Sequence, residues 1–125
     1  MIDYWDTKKV RHTVTKHIID NIIGLDNVWI SAITQMELLI GAFNKSELSK
    51  INKNISGLSV IAINDSIVSK AVQLIKQYTL SHSLALPDAL IAATSIQLEL
   101  ELFTYNLKDY KFIEHIKLFD VIKAN

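Results

Sequence analysis

The sequence predicts an α/β fold, a three-layer α/β/α sandwich around a mostly parallel central sheet. Two observations support this fold class: short apolar segments alternate with longer segments, and the longer ones carry apolar residues at helical spacing. The predicted strands are residues 28–30, 59–63, 102–104 and 116–122. The predicted helices are residues 8–23, 35–43, 46–55, 67–82 and 87–100, with a short helical or turn segment at 106–114. At 125 residues the chain is predicted to be a single domain, residues 1–125.

Residues at the predicted helix ends support these boundaries. Gly24 is expected to end the first helix, because glycine tolerates the backbone conformation of a helix stop. Thr34 is a candidate N-cap, and Glu37 three residues later would complete a capping box. Residues 64–66 (NDS) supply a cap for the long helix, and Pro87 suits the first turn of the next.

Composition excludes several functional classes. The chain has no cysteine, which excludes disulfides and thiolate metal sites. Its three glycines do not form a phosphate-binding loop. Thirteen basic and thirteen acidic residues cancel, so nucleic-acid binding would need a local patch or a metal ion. No apolar run is long enough to cross a membrane, and the acidic start is unlike a signal peptide, so we expect a cytoplasmic protein with no membrane partner.

Acidic and amide side chains follow the ends of the predicted strands. Glu37 lies in the first turns after strand 28–30, Asp88 begins the helix that leads to strand 102–104, and Asn106 and Asp109 follow that strand. Ligands of open parallel sheets bind at the carboxyl ends of the strands. Carboxylate oxygens are preferred ligands of Mg²⁺ and Mn²⁺. Each residue alone has a structural alternative as a cap or turn residue, but together they favour a metal site.

Three ordered motifs, ISAITQMELLIGA at residues 30–42, LPDALIAA at 86–93 and FTYNLKDY at 103–110, together resemble the PIN-domain family, most of all the VapC-like toxins of bacterial toxin–antitoxin pairs. Residues 30–42 (ISAITQMELLIGA) are similar to the family's I-S-x-I-T-x-x-E-L-x-x-G segment. Residues 86–93 (LPDALIAA) match its helix that begins with a catalytic Asp. Residues 103–110 (FTYNLKDY) match its T-x-N-x-x-D-[FY] segment after the last core strand. The resemblance spans nearly the whole chain.

The resemblance implies a metal-dependent endoribonuclease that is the toxin of a toxin–antitoxin system. Glu37 and Asp88 would hold Mg²⁺ or Mn²⁺, with Asn106 or Asp109 supplying the remaining position of an acidic quartet. Hydroxyl groups beside the pocket would support the site or the phosphate; they belong to Ser31, Thr34 and Thr104. The partners implied are an RNA substrate, a cognate antitoxin and a second copy of the chain in a homodimer.

The chain departs from the family's pattern at its start. PIN domains begin with an apolar strand that ends in D-T-N, and its Asp is a central metal ligand. Residues 1–5 (MIDYW) are similar to the segment that follows this strand, so one interpretation is that the first strand and its acid are missing. The alternative alignment makes residues 1–5 a shortened strand and gives Asp6 and Thr7 the D-T-N role. A missing ligand would leave an inactive, truncated PIN-like module that binds an antitoxin or itself.

Overall fold

The computed structural model describes residues 1–121. Its helices are α1 (Ile2–Trp5), α2 (His12–His17), a π-helix (Ile18–Ile23), α3 (Ala32–Ile40), α4 (Lys45–Ile55), α5 (Asp65–His82) and α6 (Leu86–Gln97), with short 3₁₀ turns at Leu25–Asn27 and Leu107–Asp109. The strands are β1 (Trp29–Ser31) and β2 (Ser59–Ile61), which pair in parallel with Ile30 opposite Val60. The predicted α/β fold with a parallel sheet is confirmed. Within residues 1–121, no helix combines the length and apolar character needed to span a membrane.

The buried apolar residues form two separate hydrophobic cores. The larger core joins α5, α6 and the segment after residue 100; its most deeply buried members are Ile67, Leu74, Ala89, Ala92 and Ala93. The smaller core is formed by Ile30 of β1 with Ile51 and Ile55 of α4. Partly buried residues of α1 and α3 pack against this smaller core, among them Trp5 and Leu38. Small alanines on α6 allow α5 to approach it closely, which accounts for the extensive packing between these two helices.

The first predicted helix is shorter than expected and changes its winding. Residues 8–11 form turns, α2 begins at His12, and the chain continues from Ile18 as a π-helix. Gly24 ends this helix with φ of 83°, as the glycine predicted, and a Cβ there would lie 3.2 Å from Asn27 Nδ2. Helix α1 was not predicted, and the Tyr4 hydroxyl ties it to Asp20 of the π-helix by a hydrogen bond of 2.7 Å.

The two C-terminal strands were predicted too long. Leu102 forms only an isolated parallel bridge with Leu118, and residues 103–104 are not in a strand. Ile122, the last residue of the predicted strand 116–122, lies outside the described residues. Among the described residues, Leu102 and Leu118 pair only with each other, and an isolated pair of strands is marginally stable.

Candidate functional site

Helix α6 carries Asp88 in its first turn, behind Pro87. A carboxylate there is favoured by the unpaired N–H groups and the dipole of the helix. The side chain is half-buried, and its Oδ1 accepts a hydrogen bond of 3.0 Å from the Tyr110 hydroxyl. Asp88 is therefore held by a group from another part of the chain, which a simple helix cap would not require.

Tyr110 is the centre of the acidic group and was missed by the sequence analysis. The residue is only 5% exposed, and burial raises the pKa of its hydroxyl; the charge of Asp88, the hydrogen bond to Asp88, and the charges of Glu37 and Asp109 raise it further. All three predicted carboxylates thus act on one buried hydroxyl. The only indication in the sequence was the aromatic residue that ends the FTYNLKDY motif.

The two other acids that raise the pKa of the Tyr110 hydroxyl, Glu37 and Asp109, lie on different elements. Glu37 lies on the exposed side of α3, and Asp109 is the last, half-buried residue of the 3₁₀ turn Leu107–Asp109. Helix α3, which carries Glu37, packs against α6, which carries Asp88. Within residues 1–121, no three Asp, Glu or His side chains are close enough to form a complete set of metal ligands.

Ser31, not Thr34, caps helix α3. The Ser31 hydroxyl accepts the Thr34 N–H at 3.0 Å and donates to the Thr34 hydroxyl at 3.0 Å. The predicted capping box of Thr34 and Glu37 is therefore wrong, because the helix begins at Ala32 and Thr34 is already inside its first turn. The Glu37 side chain therefore takes no part in capping α3.

Thr104 and Asn106 shape the loop that leads to Asp109. The Thr104 hydroxyl accepts the Asn106 N–H at 3.0 Å, and the Asn106 carbonyl accepts the Asp109 N–H at 3.0 Å. Asn106 itself is exposed. Thr104 thus fixes the backbone of the loop that carries Asn106 and Asp109.

A cavity of about 390 Å³ is lined by residues of β1, of α6 and of the segment 100–106. Four of the predicted site residues line it, namely Ser31, Thr34, Thr104 and Asn106, whereas Glu37, Asp88 and Asp109 do not. Arg11 also lines it, with its guanidinium 4.3 Å from the centre of the Tyr105 ring. The predicted residues therefore form two sets. Glu37, Asp88 and Asp109 carry carboxylates and do not line the cavity, whereas Ser31, Thr34, Thr104 and Asn106 carry hydroxyls or an amide and line it.

The start of the chain does not form the alternative strand. Residues Ile2–Trp5 are helical, and the Asp6 carboxylate accepts the Lys8 N–H at 2.9 Å in a turn. The alignment that makes residues 1–5 a strand ending at Asp6 and Thr7 is therefore wrong. Within residues 1–121, β1 is the first strand.

The family model of the PIN domain matches residues 1–114. The chain belongs to the PIN domain family. It is 31% identical to a chain of a toxin–antitoxin complex from Klebsiella pneumoniae, with a TM-score of 0.67 over 83% of this chain and 82% of that one. Comparison with curated proteins gives no significant match.

Two further structures show the same PIN fold at lower identity. One is VapBC-1 from nontypeable Haemophilus influenzae, at 19% identity and a TM-score of 0.74, covering 90% of this chain and 87% of that one. The other is FitAcB from Neisseria gonorrhoeae, at 21% identity and a TM-score of 0.72, covering 96% of this chain and 91% of that one. The PIN-family resemblance of the three sequence motifs is confirmed.

The hydrogen bond between Tyr110 and Asp88 predicts a measurable loss on removal. The Tyr110→Phe variant keeps the buried ring but leaves a half-buried carboxylate without its donor, so we expect a loss of about 1–3 kcal/mol in the free energy of unfolding, measured by urea denaturation. Tyr4→Phe is the matched control, since its hydroxyl bonds Asp20 at an exposed site, and should cost less than about 1 kcal/mol. Equal losses in both variants would contradict a special role for Tyr110.

Proposed function

We propose that this PIN domain is a metal-dependent endoribonuclease that cleaves RNA phosphodiester bonds. The observation that carries the proposal is the Asp88 carboxylate at the start of α6, which accepts a hydrogen bond of 3.0 Å from the buried Tyr110 hydroxyl. PIN domains are generally nucleases that depend on a divalent metal. Carboxylate oxygens are ligands that such metals prefer, and Asp88 offers them at the start of α6.

The donor chemistry fits Mg²⁺ or Mn²⁺. Both ions prefer carboxylate oxygens, and Mg²⁺ commonly binds through one or two protein carboxylates and keeps several waters. Asp88 would be the main ligand, with Glu37 and Asp109 contributing further oxygens directly or through water. When bound, the ion would activate a water molecule and neutralise charge on the phosphate.

The surrounding residues orient this carboxylate group and the RNA. Tyr110 is protonated at neutral pH, like any tyrosine, and its raised pKa keeps it a donor to the Asp88 carboxylate at alkaline pH as well. Ser31 and Thr34 hold the start of α3, and Thr104 holds the loop of Asn106 and Asp109. Arg11 and the Tyr105 ring add a positive charge and an aromatic face at the cavity, a combination suited to single-stranded nucleic acid.

Incubation of the purified protein with labelled RNA tests the proposed function. We expect cleavage in Mn²⁺ or Mg²⁺, loss of cleavage in EDTA, and recovery when Mn²⁺ is added in excess. This reversible dependence also separates the protein from contaminating ribonucleases that need no metal. Cleavage that survives EDTA, or its absence with either metal across structured and unstructured RNAs, would contradict the proposal.

We further infer that the chain acts as the toxin of a toxin–antitoxin pair in the cytoplasm and forms a homodimer. The related chain from Klebsiella pneumoniae comes from a toxin–antitoxin complex. Helix α3 and the turn after it also expose large apolar side chains, with Ile40 82% and Phe43 81% exposed, which is typical of a surface that binds protein. Light scattering coupled to size exclusion should give the mass of a dimer, and a monomer at micromolar concentration would contradict the homodimer.

The alternative function is a catalytically inactive PIN-like module that binds an antitoxin or itself. In the alternative alignment, Asp6 takes the place of the family's first metal ligand. Its carboxylate instead accepts the Lys8 N–H in a turn, and this favours the inactive module. The same RNA assay separates the two functions, since an inactive module would bind its partner without cleaving RNA at any metal concentration.

A further inference from the structure

Residues 7–17 (TKKVRHTVTKH) form a basic segment without Asp or Glu, although the chain as a whole has no net charge. Residues 7–11 form turns that lead into α2. Four of the thirteen Lys and Arg residues lie in the basic segment, namely Lys8, Lys9, Arg11 and Lys16. A local patch of this kind is what a protein without net charge needs in order to bind nucleic acid.

Three cations of the basic segment have no acidic partner. Lys16 is paired with Asp20 at 2.8 Å. In the part of the chain that the structure describes, Lys8, Lys9 and Arg11 form no salt bridge, and all three are exposed. The carboxylate of the preceding acid accepts the Lys8 backbone N–H and leaves the ammonium group of Lys8 unpaired. The charges of these three side chains are therefore available to an external anion.

Arg11 is held against the loop that carries Asn106 and Asp109. Its guanidinium carbon lies 4.3 Å from the centre of the Tyr105 ring. The Tyr105 hydroxyl forms a hydrogen bond of 2.6 Å with the hydroxyl of Thr15, a buried residue one helical turn after Arg11. Tyr105 is thus fixed from α2, and it fixes Arg11 in turn. A side chain that is already ordered loses less conformational freedom when it binds a ligand.

The same loop connects the basic segment to the proposed carboxylate site. Tyr105 and Asp109 are four residues apart, a distance of at most about 14 Å even in extended chain. The loop is shorter than that, because the Asn106 carbonyl accepts the Asp109 N–H at 3.0 Å in a turn. A strand with one phosphate at the carboxylates therefore reaches Arg11 within a few nucleotides.

We propose that the basic segment binds the sugar–phosphate backbone of single-stranded RNA beside the cleavage site, through Lys8, Lys9 and Arg11. RNA as the ligand rests on the proposed function, and the inference adds a contact surface that acts without the metal. Cations beside an aromatic side chain are the combination with which proteins hold single strands. Because contacts to phosphates carry no sequence information, this surface adds affinity without sequence preference.

Fluorescence anisotropy of a short labelled oligouridylate, measured in EDTA, tests this binding without cleavage. Each phosphate contact on a single strand adds about 0.7 to the slope of log affinity against log salt concentration. The double variant Lys8→Ala, Lys9→Ala should therefore bind at least about tenfold more weakly at low salt, with a slope smaller by about 1.4. The matched control removes two exposed lysines from other helices, Lys53 of α4 and Lys76 of α5, and should bind like the parent chain.

Two variants of Arg11 separate its charge from its packing on Tyr105. Arg11→Ala should lower the salt slope by about 0.7, because one phosphate contact is lost. Arg11→Lys keeps the positive charge and should restore the parent slope. Circular dichroism and thermal unfolding check that each variant has the parent fold.

Three results would overturn the proposal: no oligouridylate binding by the parent chain at low salt, equal salt slopes in the parent chain and the Lys8→Ala, Lys9→Ala variant, or parent-like RNA binding with lost binding of poly-glutamate. The last result would assign the basic segment to an acidic protein partner. The outcome is independent of the cleavage assay. A chain that binds oligouridylate with the expected slopes but cleaves no RNA would contradict the nuclease function alone, whereas cleavage with equal binding in all variants would contradict this surface alone.

Discussion

The Asp88→Asn variant is expected to cleave RNA at least about 100-fold more slowly than the parent chain, with the fold unchanged. Residues that only support a metal ligand already change activity about 10–100-fold, so removing the charge of a main ligand should cost more. Asparagine keeps an oxygen that can accept the Tyr110 hydroxyl, so the hydrogen bond seen at 3.0 Å has a replacement. Initial rates of RNA cleavage in Mn²⁺ measure the effect, and thermal unfolding checks the fold.

Asp65→Asn is the matched control for this experiment. Asp65 is also an acid in the first turn of a helix, α5, but it is exposed and not among the charges acting on Tyr110. The control variant should cleave RNA at the parent rate. If both variants were equally slow, or if Asp88→Asn retained full activity, Asp88 would be no more than a helix-capping acid.

Leu74→Ala should have the largest effect on stability. Leu74 is 2% exposed in the middle of α5 and belongs to the larger core with Ala89, Ala92 and Tyr110. Truncating a fully buried leucine loses apolar burial and leaves a cavity, which costs about 2–5 kcal/mol in the free energy of unfolding. Urea denaturation monitored by circular dichroism measures this loss.

Val72→Ala, on the same helix, provides the comparison. Val72 is 45% exposed, so its truncation should change the free energy of unfolding by about 0.5 kcal/mol or less. A loss for Leu74→Ala as small as that of Val72→Ala would contradict the assignment of α5 and α6 as the main core of the domain.

The helices could be predicted where local interactions determine them. Asn64 caps α5 through the Ile67 N–H at 2.9 Å, as the NDS segment predicted. The apolar spacing of α5 indicated part of its buried face, since Ala71, Leu74 and Tyr78 are buried, whereas Val68 and Val72 of the same pattern are exposed. Pro87 marked the first turn of α6. In both helices the residues that set the boundary lie within a few positions of it, so the sequence contains the necessary information.

Features that depend on distant partners were predicted less well. Ser31 and Thr34 are both good caps by residue type, and only the entry of β1 into α3 selects Ser31. The apolar segments near Leu102 and Leu118 suggested full strands, but a strand needs neighbours on the sheet, and Leu102 pairs on one edge only. The π-helix after His17 has no local signature in its residues.

In the candidate site, too, some residues could be predicted from the sequence and others could not. Glu37, Asp88 and Asp109 were selected from motifs and strand ends, and the structure relates all three to Tyr110. Tyr110 itself was not selected, because its role follows from burial and from a hydrogen bond to a residue 22 positions away. The cavity of about 390 Å³ was likewise not predicted from the sequence, since its lining residues are far apart along the chain, from Met1 to Asn106.

An anomalous difference map from crystals of the protein soaked in Mn²⁺ tests the central claim most directly. The account predicts a peak at the Asp88 carboxylate, on the side of Glu37 and Asp109, that disappears in Asp88→Asn and persists in Asp65→Asn. A peak bound elsewhere with Asp88 uninvolved, or no peak at saturating Mn²⁺, would contradict a metal-dependent nuclease site at the start of α6.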